Sequence, residues 1–210
     1  MFGIINYEAF IIAVIILSVT PGADTMYILS RSISQGKKAG VLSVLGIVTG
    51  TVFHILFATF GLSIVLAKSA VAFETVKYLG AAYLVFLGIK SMVTKQSQGV
   101  ELDNKKQKAS NTKIYLSGIL TNILNPKVAL FFLAFLPQFI NPFYENPSIS
   151  FLALGFTFMS IGTTWCFIVV LFSAKLSESI RKNKKVKMWL DKITGGVFIA
   201  LGIKLALSKK

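Results

Sequence analysis

An acid and a base stand inside otherwise apolar stretches of this chain, and each sits beside a proline. The first stretch reads Ser18-Val19-Thr20-Pro21-Gly22-Ala23-Asp24, the second Asn122-Ile123-Leu124-Asn125-Pro126-Lys127. A charged side chain at the centre of a bilayer costs about 2.5–3.5 kcal/mol on insertion scales, so an ionisable residue there points to function. Asp24 suits a substrate ammonium group or a coupling proton. Lys127 suits a substrate carboxylate, or it pairs with Asp24 as a purely structural ion pair. A buried pair of that kind needs good geometry to offset desolvation.

The prolines make backbone chemistry available as well. Proline in a helix interior removes one hydrogen bond and clashes with the preceding turn. In lipid the freed carbonyls need another partner or a protein-lined cavity. Thr20 and Asn125 are good helix N-caps, and Pro21 and Pro126 suit the first helical position. Each break is therefore expected to start a half-helix whose free N–H groups favour an anion. Gly22 lets a ligand or another backbone come close. Asn122 and Asn125 lie three apart, on one face if the helix continues, and are suited to ligand contact or to bonds between helices. The candidate substrate-binding set is thus Pro21, Gly22, Asp24, Asn122, Asn125, Pro126 and Lys127.

His54 is the single histidine and falls mid-way along an apolar run. Imidazole titrates near neutrality, so His54 joins Asp24 as a proton-coupling candidate; a neutral ring bonded across helices is the alternative. Thr49, Gly50, Gly61, Gly80 and Gly88 read as packing positions, as do Tyr83, Trp165 and the single cysteine, Cys166. The sequence has no metal-ligand cluster, phosphate-binding glycine loop or nucleophile with a base, so neither a cofactor nor an enzymatic activity is expected.

These residues are positioned by membrane-length elements. Of 210 residues, 54% are hydrophobic and 14% charged, against roughly 25% charged in soluble domains. Six apolar runs, at 7–29, 41–66, 76–93, 114–136, 149–172 and 189–208, approach or exceed the roughly 20 residues that cross a bilayer. The last is the weakest, because Lys204 interrupts it, and a five-span arrangement is the alternative. The first has no basic leader or cleavage site and is not a signal peptide. The net charge of +14 is concentrated in three loops, carrying Arg31, Lys37 and Lys38, then Lys105, Lys106 and Lys108, then Arg181, Lys182 and Lys184. That alternation places loops 1, 3 and 5 in the cytoplasm and both termini outside. Attraction to anionic lipid explains the basic residues without nucleic acid.

The polar segment 95–113 is a cytoplasmic linker between two three-span halves, 1–94 and 114–210. Both halves carry a proline break in their opening span. Leu87-Gly88-Ile89-Lys90 in the third span matches Leu201-Gly202-Ile203-Lys204 in the sixth. With an odd number of spans each, the halves run inverted, a recurring transporter plan. The expected fold is all-α: a polytopic membrane protein of about six transmembrane helices in two inverted repeats, with helices 1 and 4 broken.

The chain resembles the LysE/RhtB family of bacterial amino-acid exporters over essentially its whole length. The resemblance rests on Thr20-Pro21-Gly22-Ala23-Asp24 and on Leu124-Asn125-Pro126-Lys127 followed by Ala129-Leu130-Phe131-Phe132. Gly36-Lys37-Lys38-Ala39-Gly40 and Tyr78-Leu79-Gly80-Ala81-Ala82-Tyr83-Leu84 support it. The family's usual Pro-Gly-Pro is here Pro21-Gly22-Ala23, a softer break. The resemblance implies proton-driven export of amino acids or close derivatives, a multi-pass place in the bacterial inner (plasma) membrane, and a homo-oligomer. The alternative on the residues alone is a divalent-cation transporter of a related fold. Such ions want several oxygen ligands, whereas Asp24 is the lone carboxylate deep in a span and Lys127 repels a cation.

Overall fold

The computed structural model describes residues 2–62, 70–93, 109–141 and 143–173, with isolated helical positions between 192 and 207. Most of the sixth apolar run and of the 95–113 linker lies outside the described residues. The described elements are helical: α1 (Tyr7–Val19), α2 (Ala23–Gln35), α3 (Lys37–Phe57), α4 (Ala70–Val93), α5 (Asn111–Ile123), α6 (Pro126–Leu130) and α7 (Pro147–Leu171). A π-helical turn, Ala58–Leu62, extends α3; another, Phe131–Phe135, and a 3-10 turn, Leu136–Phe139, extend α6. This is an all-α polytopic membrane protein.

The stretches Lys37–Gly61 and Pro147–Leu171, 25 residues each, are long and apolar enough to cross a membrane. α4 has 24 residues, about 36 Å at 1.5 Å per residue. Two bent pairs, each taken together, are also long and apolar enough to cross. α1 and α2 meet at 45°, and α5 meets the Pro126–Phe139 segment at 43°. Both bends fall at the prolines singled out above.

The start of the second half-helix differs between the bends. Asn125 caps α6 as expected, its Oδ1 accepting from Lys127 N at 3.1 Å, with Pro126 at the first helical position. At the first bend the expected Thr20 cap is corrected. Thr20 is extended (φ −62°, ψ 118°) and ends α1, as residues before proline tend to. Gly22 is extended too (φ −140°, ψ −170°), so α2 restarts only at Ala23, with Gly22 O accepting from Met26 N.

α3 is the central element, and it lies closest to α5. A Cβ added to Gly46 would sit 3.0 Å from Gly118 Cα and closer still to Tyr115 O; one on Gly118 would sit 2.9 Å from Ser43 O. Small residues let two backbones touch, the usual way apolar helices associate in lipid. Side-chain bonds add to the seam, Thr49 Oγ1 with Tyr115 OH at 2.9 Å among them.

Two buried clusters lie at different levels along the bundle. One gathers Phe10, Phe131, Phe132, Phe135, Phe139, Phe151 and Phe158 around the start of α7. The other joins Ile28, Leu29, Val44 and Ile47 to Val169 and Val170 near its end. The middle of α7 passes between them. Outward, the helices show large apolar side chains such as Phe53, Phe57, Leu116, Leu120, Phe156 and Leu171. Such exposure is costly in water and appropriate to hydrocarbon.

Candidate functional site

Between the two clusters, at the level of both proline breaks, lies a cavity of about 50 Å³. Room for one water needs roughly 10–15 Å³ on this measure, so a few waters fit. Asp24 and Thr25 reach it from α2, Ile47 and Thr51 from α3, Asn122 from α5 and Lys127 from α6; α7 contributes Phe158 to Cys166. Of the sequence-derived candidates, Asp24, Asn122 and Lys127 line the cavity; Pro21, Gly22, Asn125 and Pro126 form the breaks beside it, and His54 stands behind Asn122.

Asn122 is the hub. Its Nδ2 donates to Asp24 Oδ2 at 2.9 Å. A carboxylate only accepts, so this contact fixes which way the amide points. Its Oδ1 then faces the Thr51 hydroxyl at 3.4 Å, whose hydrogen is shared with Ile47 O at 3.1 Å. Gly50 makes room, since a Cβ there would lie 2.8 Å from Asn122 Oδ1. The bond spans 98 residues of sequence and ties the acid of the first break to the end of the helix before the second.

Each proline lacks the N–H that would bond the carbonyl four residues earlier. For Pro21 that carbonyl is Leu17 O. Lys127 Nζ takes it at 2.9 Å and takes Thr20 O at 3.0 Å. The ammonium replaces the missing donor and places positive charge on a helix C-terminus, where the helix dipole favours it. Lys127 thus engages the backbone of the first break rather than the Asp24 carboxylate. A Cβ on Gly22 would meet Lys127 Nζ at 3.1 Å and Cε at 3.2 Å, so the close approach at this glycine is by the lysine side chain. For Pro126 the freed carbonyl is Asn122 O. It accepts from Asn125 N at 2.9 Å and from His54 Nε2 at 3.1 Å. A carbonyl only accepts, so His54 carries its proton on Nε2. The ring also stacks on Phe132, with centroids 5.7 Å apart.

Three polar atoms at this level are buried without a close hydrogen bond, Asp24 Oδ1, Asn125 Nδ2 and Trp165 Nε1, and the Asn125 amide is near enough to the Asp24 carboxylate to interact with it. An unmade buried bond costs about 1–3 kcal/mol, so such atoms call for water or a ligand. Asp24 and Trp165 both line the cavity. The remaining wall is largely apolar, from Leu17, Ile47, Val48, Val128, Phe158 and Met159. Among the described residues, no group of three or more His, Cys, Asp or Glu is placed to hold a metal ion.

The sequence reading missed Thr51, Trp165 and Cys166 as cavity residues. The indole N–H within an apolar run was the available signal for Trp165. Which helix face it occupies depends on packing.

The model of the LysE type translocators matches residues 15–209. The chain belongs to that family. It is 36% identical over 207 residues to the uncharacterized membrane protein YrhP of Bacillus subtilis, covering 95% of this chain and 98% of that one. It is 29% identical over 201 residues to an uncharacterized membrane protein of Vibrio cholerae, covering 96% of each. A leucine efflux protein of Klebsiella pneumoniae is 28% identical over 207 residues, covering 98% of this chain and 96% of its own length. No solved structure matches. This LysE-type translocator is a membrane transporter, and the cavity lies where its two bent crossings meet.

Proposed function

We propose that the translocator exports amino acids or close derivatives across the plasma membrane, in exchange for protons. The observation that carries this reading is one cavity lined by both Asp24 and Lys127, with Asp24 Oδ1 buried near the Asn125 amide and making no close hydrogen bond. An ammonium group satisfies that oxygen, and so does a proton; they compete for it. Competition couples the two flows without any further device. Substrate leaves when a proton arrives from the outer side, and the proton leaves when substrate binds from the cytoplasm. The surrounding site is Pro21, Gly22, Asn122, Asn125, Pro126 and Lys127, whose breaks free backbone groups next to the cavity. Lys127 offers three hydrogens and spends two on carbonyls, so one remains for a substrate carboxylate.

The apolar wall favours an uncharged side chain, and similarity to a leucine efflux protein supports the same class. The two proline-broken crossings support alternating access by rocking of an inverted pair of three-helix halves, 1–94 against 114–210. His54 is a positioning residue in this reading. Its Nε2 proton is held by Asn122 O, leaving Asp24 as the coupling carboxylate.

Cells overproducing the protein and loaded with dipeptides test this. Efflux of at least one uncharged amino acid accelerates, and collapsing the proton gradient slows it. No acceleration for any amino acid overturns the reading.

A further inference from the structure

The cavity holds a second unspent group whose chemistry complements Asp24. Trp165 lines it from the middle of α7, and its indole Nε1 is buried with no acceptor. An indole N–H only donates, and an ionised carboxylate only accepts. The other polar side chains of the cavity's break residues are largely committed. Lys127 holds Leu17 O and Thr20 O; Asn122 holds Asp24 and faces Thr51. Asp24 Oδ1 is thus a buried acceptor without a close bond, and Trp165 Nε1 is a buried donor of the cavity wall, in addition to the remaining hydrogen of Lys127 and the Asn125 amide. One helical turn before Trp165, a Cβ added to Gly162 would meet no atom within 4 Å, and Gly162 also lines the cavity. The cavity wall at Gly162 is therefore open.

The geometry points to Trp165 as a substrate-binding residue, its indole N–H receiving the carboxylate of a zwitterion whose ammonium group lies on Asp24 Oδ1. The assignment rests on the amino-acid export proposed above and adds to it the residue that distinguishes an amino acid from a simple amine. The ligand's two charged ends are held from α2 and α7, and the cavity of about 50 Å³ must widen to admit its side chain. Lys127 contributes its remaining hydrogen and its charge, while Trp165 supplies direction. A hydrogen bond to a charged group corresponds to roughly ten- to hundredfold in affinity.

Trp165→Phe keeps a ring of similar shape and removes only the donor. In proteoliposomes, protein-dependent transport of leucine and of 3-methylbutylamine, which is leucine without its carboxylate, is compared for the wild type and this variant. The wild type is expected to prefer leucine, and the variant to lose about tenfold or more of that preference while its 3-methylbutylamine transport stays within about twofold. An unchanged ratio of leucine to 3-methylbutylamine in an inserted, active variant overturns the assignment and leaves the export reading standing. A wild type that carries no amino acid overturns the export reading, and this assignment with it. Intrinsic fluorescence gives a second measurement that needs no Trp165 variant. The chain has two tryptophans, so Trp189→Phe leaves Trp165 as the sole emitter. Leucine is expected to shift that emission and 3-methylbutylamine to leave it unshifted; no shift with leucine, in protein that transports it, overturns the assignment.

Discussion

The two proline breaks have similar bends, 45° and 43°, but they are closed differently. The second break is closed chiefly by its own residues. Asn125 caps α6 with its side chain and covers Asn122 O with its backbone N–H; His54 adds one bond from α3. The first break borrows its closure. α2 begins at Ala23 after Gly22, which supplies no side-chain cap, and the carbonyls at the end of α1 are held by Lys127, which belongs to the second break. One break is self-contained and the other is held from outside. The externally held one depends on Lys127 for its closure, and it is also the one that carries the acid.

This contrast can be broken by substitution. The largest effect is expected from Asp24→Asn, which keeps the shape and removes the charge. Amino-acid efflux falls at least about 100-fold with normal membrane insertion, because a paired charge is worth several kcal/mol at a desolvated contact. Efflux assays with a membrane-fraction blot check it. Next comes Lys127→Met. It leaves Leu17 O and Thr20 O without their donor, so the detergent-solubilised protein loses about 2–4 kcal/mol of stability. A thermal melt reads that loss, together with a drop in efflux of tenfold or more. His54→Phe removes one of two donors from Asn122 O, and Asn125 N remains. About 1 kcal/mol is lost and efflux declines less than roughly fivefold. If His54→Phe destabilises as much as Lys127→Met, the second break is not self-contained and the contrast fails. The smallest effect is expected for Gly22→Ala. The new methyl meets only the flexible end of Lys127, at 3.1–3.2 Å, and the extended backbone there suits alanine. A stability change beyond about 1 kcal/mol would show that Lys127 cannot yield.

How far the sequence disclosed this site depends on which force fixes each residue. The breaks were legible because proline acts locally, through a missing N–H and a steric clash. The Asn125 cap was legible for the same reason. Thr20 was misread because two local rules compete there: its hydroxyl suits an N-cap, but Gly22 extends the chain by two further residues before a helix resumes. The charge pair was half legible. Asp24 and Lys127 do share a cavity, yet the lysine answers to the carbonyls that Pro21 frees, which only the relative placement of α1 and α6 reveals. Trp165 was legible only as a packing position, its indole N–H notwithstanding, because α7 is apolar on nearly all sides. In lipid, an all-round apolar helix gives no periodic signal of which face meets protein. The same holds for Gly46 and Gly118, whose contact is evident only once α3 and α5 are docked.

The chain has one cysteine, and it lines the cavity at Cys166. That makes it a single-thiol probe in the cavity proposed as the transport site. If the cavity opens as proposed, a membrane-permeant maleimide marks each opening covalently, and its labelling rate with and without substrate becomes a clock for access in the unmodified protein.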